Sequence, residues 1–237
     1  MKRKFLIFVF CLGACVANAQ TKWEYPKRPS PEEMRFTTYD EQVKKSQPPK
    51  ELLNSWDTET LFKYCVNYPF NGVTLLFNNF NDGFKRAYEQ ATVWHEFIRR
   101  KDAIKVFVQH FETHSYKRLI EIRDDEIRRK ELFNLYFLEK LVSETDFTLY
   151  LDTSERRKLV NTILQSHQSK KDYPNELFGF PYNSSLSALL KILESDQEIS
   201  PDDDVSLVKF REKTGNESFV DDIMESAIIS KAVNYIK

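Results

Sequence analysis

The sequence predicts an all-α protein: antiparallel helical hairpins stacked as a bundle or short irregular superhelix, preceded by a signal peptide and a Pro-rich extended segment. Three observations carry that expectation. Apolar residues recur at spacings of three and four over most of the chain, the period of one helix face. Ser, Thr or Asp precedes several of these stretches, where a side-chain oxygen can accept from the first unpaired backbone N–H groups of a helix. Glycine is scarce, five in 237 residues against an average of about 7 per cent, which argues against a turn-rich β architecture.

The elements follow in order. Lys2, Arg3 and Lys4 precede an apolar run from Phe5 to Ala17, and Ala17-Asn18-Ala19 supplies the small-x-small pattern for cleavage before Gln20. The run is shorter than the roughly 20 residues a permanent membrane anchor needs. A buried core helix would explain neither the three cations in front nor the polar, Pro-rich stretch behind. Residues 1–19 are therefore expected to be a signal peptide. A second expectation competes for the same residues: Leu12-Gly13-Ala14-Cys15 resembles a bacterial lipobox, in which Cys15 is acylated and becomes the new N-terminus. Acyl chains bury CH₂ groups worth about 0.8 kcal/mol each and would hold the domain on a membrane. Cys15 comes early and the Ala-Asn-Ala site is well formed, so cleavage at Ala19 is the preferred expectation.

Residues 20–49 carry Pro26, Pro29, Pro31, Pro48 and Pro49 among charges, and are expected to be an extended tether or a strap anchored by Trp23, Tyr25 and Phe36. A single helical domain is expected over 50–237. Asp57 or Thr58 caps a helix bearing Leu61, Phe62, Cys65 and Val66, ended by Pro69. A stretch from Asp82 carries Phe84, Ala87, Tyr88, Ala91, Trp94, Phe97 and Ile98, and the next carries Ala103, Ile104, Phe107, Val108 and Phe111. Over 118–144, Ile127, Leu132, Leu135, Leu138 and Val142 form one stripe, while Phe133, Phe137 and Leu141 form another. Apolar residues on two faces predict a central helix. Thr153 or Ser154 caps the next helix, with Leu159, Val160, Ile163 and Leu164. Ser184 or Ser185 starts another, with Leu186, Leu189, Leu190 and Leu193. A last helix begins after Ser218 with Asp221 and Asp222 in its first turn, where negative charge suits the helix dipole. No fixed repeat period is present.

Composition narrows function. Loss of Lys2, Arg3 and Lys4 with the signal takes the net charge from −1 to −4, which does not suit nucleic-acid binding. The clusters Arg99-Arg100-Lys101, Arg128-Arg129-Lys130 and Arg156-Arg157-Lys158 sit among acids, as on solvated helix faces. Cleavage leaves Cys65 as the one cysteine, a buried thiol in an apolar pattern, so the core and not a disulfide must hold the domain.

Candidate chemistry is sparse. His110-Phe111-Glu112-Thr113-His114 approaches the zinc-protease pattern His-Glu-x-x-His, but its Glu stands one place late, about 100° round the helix. His110 and His114 are weak metal candidates, two ligands short of a structural site, with His95 the nearest other imidazole in sequence. Glu194, Asp196, Glu198, Asp202, Asp203 and Asp204 match no calcium loop and are expected to be solvated. No phosphate loop, nucleophile elbow or Cys-x-x-Cys pair exists, and no cofactor is expected. The aromatic stretch Asn67-Tyr68-Pro69-Phe70-Asn71 with Trp56, Phe77 and Phe80 is either a partner face or core, with core the commoner account.

Leu61-Phe62-Lys63-Tyr64-Cys65-Val66-Asn67-Tyr68-Pro69, then Asn81-Asp82-Gly83-Phe84, Arg99-Arg100-Lys101-Asp102-Ala103, Tyr173-Pro174 and Asn183-Ser184-Ser185 resemble a family of exported helical proteins of Bacteroidetes-type bacteria. The resemblance covers most of residues 57–195 and implies export and a helical fold, with no activity or functional residues to carry over. The function expected is a non-enzymatic protein or peptide interaction module or envelope scaffold, periplasmic or secreted, on a membrane only if Cys15 is lipidated. The alternative is an extracytoplasmic enzyme or metal-binding protein in which His95, His110, His114 and Glu112 converge only in three dimensions. The intact mass of the mature protein from its native host decides the processing. A chain beginning at Gln20 is the expected result, and one beginning at an acylated Cys15 would place the domain on a membrane instead.

Overall fold

Capping side chains set several of the helix starts. The Thr38 hydroxyl accepts from the Glu41 backbone N–H while the Glu41 carboxylate accepts from the Thr38 N–H. Asp152 and Glu155 repeat the arrangement. Asp57 accepts from the Thr60 N–H, and Asp124 from those of Glu126 and Ile127. The computed structural model describes residues 23–27, 30, 32–173, 183–198 and 222–237. Within them lie eleven α-helices: α1 (Tyr39–Lys45), α2 (Lys50–Ser55), α3 (Thr58–Val66), α4 (Phe80–Glu89), α5 (Thr92–Ile98), α6 (Ala103–Thr113), α7 (Tyr116–Leu119), α8 (Asp125–Glu144), α9 (Thr153–Asp172), α10 (Ser184–Ser195) and α11 (Asp222–Tyr235). Short 3₁₀ turns occupy Asn71–Leu76 and Phe147–Tyr150, and no strand occurs among the described residues. The protein is all-α. The expected leader with Cys15, Ala19 and Gln20 lies outside the described residues, as do Asp202 to Asp204 and Asp221.

Helix α8 is central, as its two stripes predict. Every residue from Leu135 to Val142 is buried, with α10 packed along it, α4 and α7 beside it, and the Phe147–Tyr150 turn at its end. α9 lies on α10 and also touches α6, α7 and α11; α3 packs on α5 and α6. The expected stripe overreaches at Ile127, which is 52% exposed in the first turn of α8, before the neighbouring helices begin to cover it. Cys65 is fully buried, and burial pushes its thiol well up from the ordinary range, as for an inert core group.

The N-terminal stretch expected to be extended is partly helical. Residues 23–27 have no regular secondary structure, but the capping box at Thr38 starts α1, and Val43 and Ser46 are buried. Trp23 and Tyr25 do anchor a strap. Trp23 lies 4.8 Å from the Tyr25 ring and 5.6 Å from that of Tyr64, while Tyr64 stacks on Trp56 at 4.0 Å. The Tyr25 hydroxyl donates to the Tyr64 carbonyl, and the Tyr64 hydroxyl donates back to that of Trp23. Phe36 anchors nothing, at 87% exposure. The stretch from Asp82 breaks into α4 and α5 because the Gln47 side chain accepts from both the backbone N–H and the hydroxyl of Thr92. The predicted 118–144 helix likewise divides, since Asp124 caps a fresh start and leaves α7 as a separate turn.

The aromatic stretch around residue 68 is core at Trp56, Tyr68 and Asn71, with Phe70 and Phe80 half-buried and Asn67, Pro69 and Phe77 exposed. Trp56 and Tyr68 are buried, and the buried Asn71 amide donates to the Cys65 carbonyl and accepts from the Trp94 indole N–H. Leu75, Leu76 and Phe77 remain exposed beside it. α4 carries a glycine in its interior for a steric reason: a Cβ on Gly83 would stand 2.4 Å from the Thr74 carbonyl oxygen of the Asn71–Leu76 turn. Gly83→Ala must push the turn off the helix, and a loss of about 1–3 kcal/mol in urea denaturation is expected. Gly72→Ala, whose Cβ meets nothing within 4 Å, is the control and should stay within about 0.5 kcal/mol.

Candidate functional site

Two helix faces and the start of a third leave an open groove of about 310 Å³ between α3, α6 and α8. Its apolar side is Phe62 and Val66 from α3 with Val106 from α6. Around them stand amides from all three walls or their ends, Asn67, Gln109 and Asn134, together with Thr113. Charges of both signs complete the rim: Glu59 and Glu131 against Lys63 and Lys130. The Lys130 ammonium donates to the Asn67 side-chain oxygen at 2.8 Å, bridging α8 to the end of α3.

His110 and His114 belong to this groove, one turn apart on α6. Their rings stack at 4.1 Å and 20°, and the edge contact of His110 with Phe62 is 5.0 Å. His110 Nε2 is buried without a hydrogen-bond partner. Burial first, and the neighbouring His114 second, lower the His110 pKa to about 3, so the ring is neutral in any ordinary medium. His114 Nδ1 lies 2.9 Å from the Thr113 hydroxyl and 3.1 Å from the His110 carbonyl oxygen; a carbonyl only accepts, so Nδ1 carries the proton there.

The structure thus brings the two weak metal candidates together, but face to face. Parallel rings in contact do not converge on one point, and among the described residues no group of three His, Cys, Asp or Glu could hold a metal ion. Glu112 is exposed and is not part of the groove lining. His95 lines a different recess with Tyr88. The four residues of the enzyme alternative are not assembled. In the acidic stretch, Asp196 pairs with Arg156 and accepts from the Tyr235 hydroxyl, which accounts for its charge within the fold.

One buried polar network was not expected. Glu139, in the middle of α8 with no exposure, accepts from Lys170 of α9 and from the hydroxyls of Ser184 and Ser166. Beside it, His167 contacts the Ser185 hydroxyl at 2.9 Å through Nδ1 and Glu225 of α11 at 3.2 Å through Nε2, and Lys171 donates to the same carboxylate. Ser, His and Glu in series have the composition of a hydrolytic relay, but Ser185 has no exposed surface for a substrate to reach. The cluster ties α8, α9, α10 and α11 together. The available signal was Glu139-Lys140 standing between Leu138 and Leu141, inside both apolar stripes. Comparison with family models, with curated proteins and with solved structures gives no match.

His110 and His167 share a consequence. Burial is the leading cause that lowers both below the ordinary 6.5, with Glu225 opposing it at His167. The unfolded chain takes up protons below about pH 6.5 more readily than the folded chain, so their contribution is complete above that pH and is lost as pH falls beneath it. The urea midpoint is expected to decline between about pH 7 and 5, above the range where carboxylates titrate. A double variant His110→Gln, His167→Gln should flatten that slope.

Proposed function

We propose that the chain is an exported, non-enzymatic binding module that holds an extended segment of a partner protein or peptide in the groove between α3, α6 and α8. The observation that carries this is the lining: an apolar strip of Phe62, Val66 and Val106 flanked by Asn67, Gln109 and Asn134. The Gln109 amide offers a donor and an acceptor, the pair that an extended peptide presents at every residue. The Asn67 and Asn134 amides donate to the Lys63 carbonyl and the Glu131 carboxylate and present acceptor oxygens. The apolar strip offers area for side chains, and polar groups around it fix orientation. Two carboxylates and two ammonium groups on the rim balance, so the groove selects neither a polyanion nor a polycation.

Support for export comes from the leader pattern at residues 1–19 and from the resemblance to exported helical proteins. None of the described helices is long and apolar enough to cross a membrane. A periplasmic or secreted location fits cleavage before Gln20, and envelope anchoring fits acylation of Cys15.

A randomised peptide library panned against the mature chain, with hits measured by fluorescence anisotropy, tests the proposal. Asn67→Ala with Gln109→Ala, both exposed positions, should weaken binding about tenfold or more, with a small fall in thermal midpoint from the lost Lys130–Asn67 bridge that Gln109→Ala alone does not show. Undiminished binding by that double variant, or the absence of any saturable peptide, would sink it.

A further inference from the structure

α8 ends beside a second recess, of about 270 Å³, that the groove does not share. At 1.5 Å per residue, Glu144 stands roughly 21 Å along the helix from the groove residue Lys130. The recess gathers side chains from four places: Tyr88 at the end of α4, His95 and Arg99 on and just after α5, Glu144 and Asp146 at the end of α8, and Tyr150 from the following turn. Pockets for drug-sized ligands run from about 300 to 1,000 Å³, so this one suits a small solute.

Three of these groups are already committed within the fold. The faces of the Tyr88 ring are taken by Phe84 at 5.8 Å and His95 at 4.6 Å. His95 Nε2 lies 2.9 Å from the Tyr88 carbonyl oxygen and donates to it. The Glu144 carboxylate accepts at 3.1 Å from the ammonium of Lys140, which is buried behind the lining and offsets that charge from within.

Two charges of opposite sign are left over. Among the described residues neither Arg99 nor Asp146 makes an ion pair, with each other or with any other group, and the Asp146 side chain caps no backbone N–H of the turn it begins. Both nevertheless stand close to the Tyr88 hydroxyl. Burial first, then Tyr150 and Asp146, push that phenol up to about 12 against the opposing pull of Arg99, so the hydroxyl stays protonated and donates. An unpaired guanidinium and an unpaired carboxylate that face one small space favour a solute carrying both charges, since each repels the simple ion that the other attracts. A free α-amino acid has that composition. Its carboxylate suits the planar fork of Arg99 with the Tyr88 hydroxyl as a further donor, and its ammonium suits Asp146 with Glu144 beside it. The Tyr150 ring, 54% exposed, offers area to an apolar side chain.

We propose that this recess binds a free α-amino acid as its zwitterion, held between the Arg99 guanidinium and the Asp146 carboxylate. The test is calorimetric titration of the mature chain with glycine, leucine and phenylalanine, each beside its N-acetyl form and its C-terminal amide. Tyrosine ring resonances are followed in parallel. At least one free amino acid should bind saturably and shift the Tyr88 and Tyr150 signals, with both blocked forms weaker by about tenfold or more. Arg99→Gln should bring the free amino acid down to the affinity of its amide without weakening the amide further. Asp146→Asn should do the same with respect to the N-acetyl form. Both positions are exposed, so the thermal midpoint should hold, and the Asn67→Ala, Gln109→Ala variant should keep full affinity. No saturation at millimolar concentration, a blocked form that binds as tightly as the free amino acid, or affinity indifferent to both recess variants would each overturn the assignment.

Discussion

A carboxylate and an ammonium meet in the middle of this bundle with almost no water near them. Glu139 of α8 has no exposed surface and Lys170 of α9 has 4%. Taking two such ions out of water costs several kcal/mol each, which their attraction offsets only when geometry is good and the remaining lone pairs are satisfied. Here Ser184 and Ser166 complete the set. The pair adds little net stability over an apolar contact of similar volume. Its effect is on register: sliding α8, α9 or α10 by a turn would strand a buried charge, at a cost of about 3–5 kcal/mol. Lys140, next along α8, turns the opposite way to Asn81 and Glu144 and sets α4 against the other side.

Fixing α8 in this manner positions both the groove and the recess that His95 lines, because α8 supplies one wall of each. The groove takes its third wall from Lys130, Glu131 and Asn134, and the recess takes its acids from Glu144 and Asp146. Neither contains a strained backbone; among the described residues only Gln197 outside glycine has a positive φ, and it lies in neither lining. The side chains are presented by helix ends and turns on a rigid frame, an arrangement suited to recognition.

Much of the fold was legible because helix periodicity and caps act over a few residues. The two stripes of α8 and the cap at Asp57 needed no long-range information. What escaped depends on partners far apart in the chain. Gln47 breaks the Asp82–Ile98 stretch from 45 positions away, and Glu139 reads as a surface acid until Lys170 is placed against it. Ile127 shows the converse, an apolar residue in register with the stripe that no helix arrives to cover. The pairing of His110 with His114 was legible as one helical turn, but Glu59 and Lys130 join them only through the packing of α3 and α8. The recess draws on α4, α5, α8 and a turn, so no local pattern announced it.

The clasp between Tyr25 and Tyr64 has a mechanical meaning. Each phenol donates to the backbone carbonyl of the other's segment, so a pull on the chain ahead of Trp23 is borne by α3 as shear across two hydrogen bonds and a ring cluster. α3 also carries Phe62 and Lys63 of the groove. A load applied through the N-terminal end, shared with Trp56 and Tyr68 through the same ring cluster, and occupancy of the groove would therefore act on the same short helix.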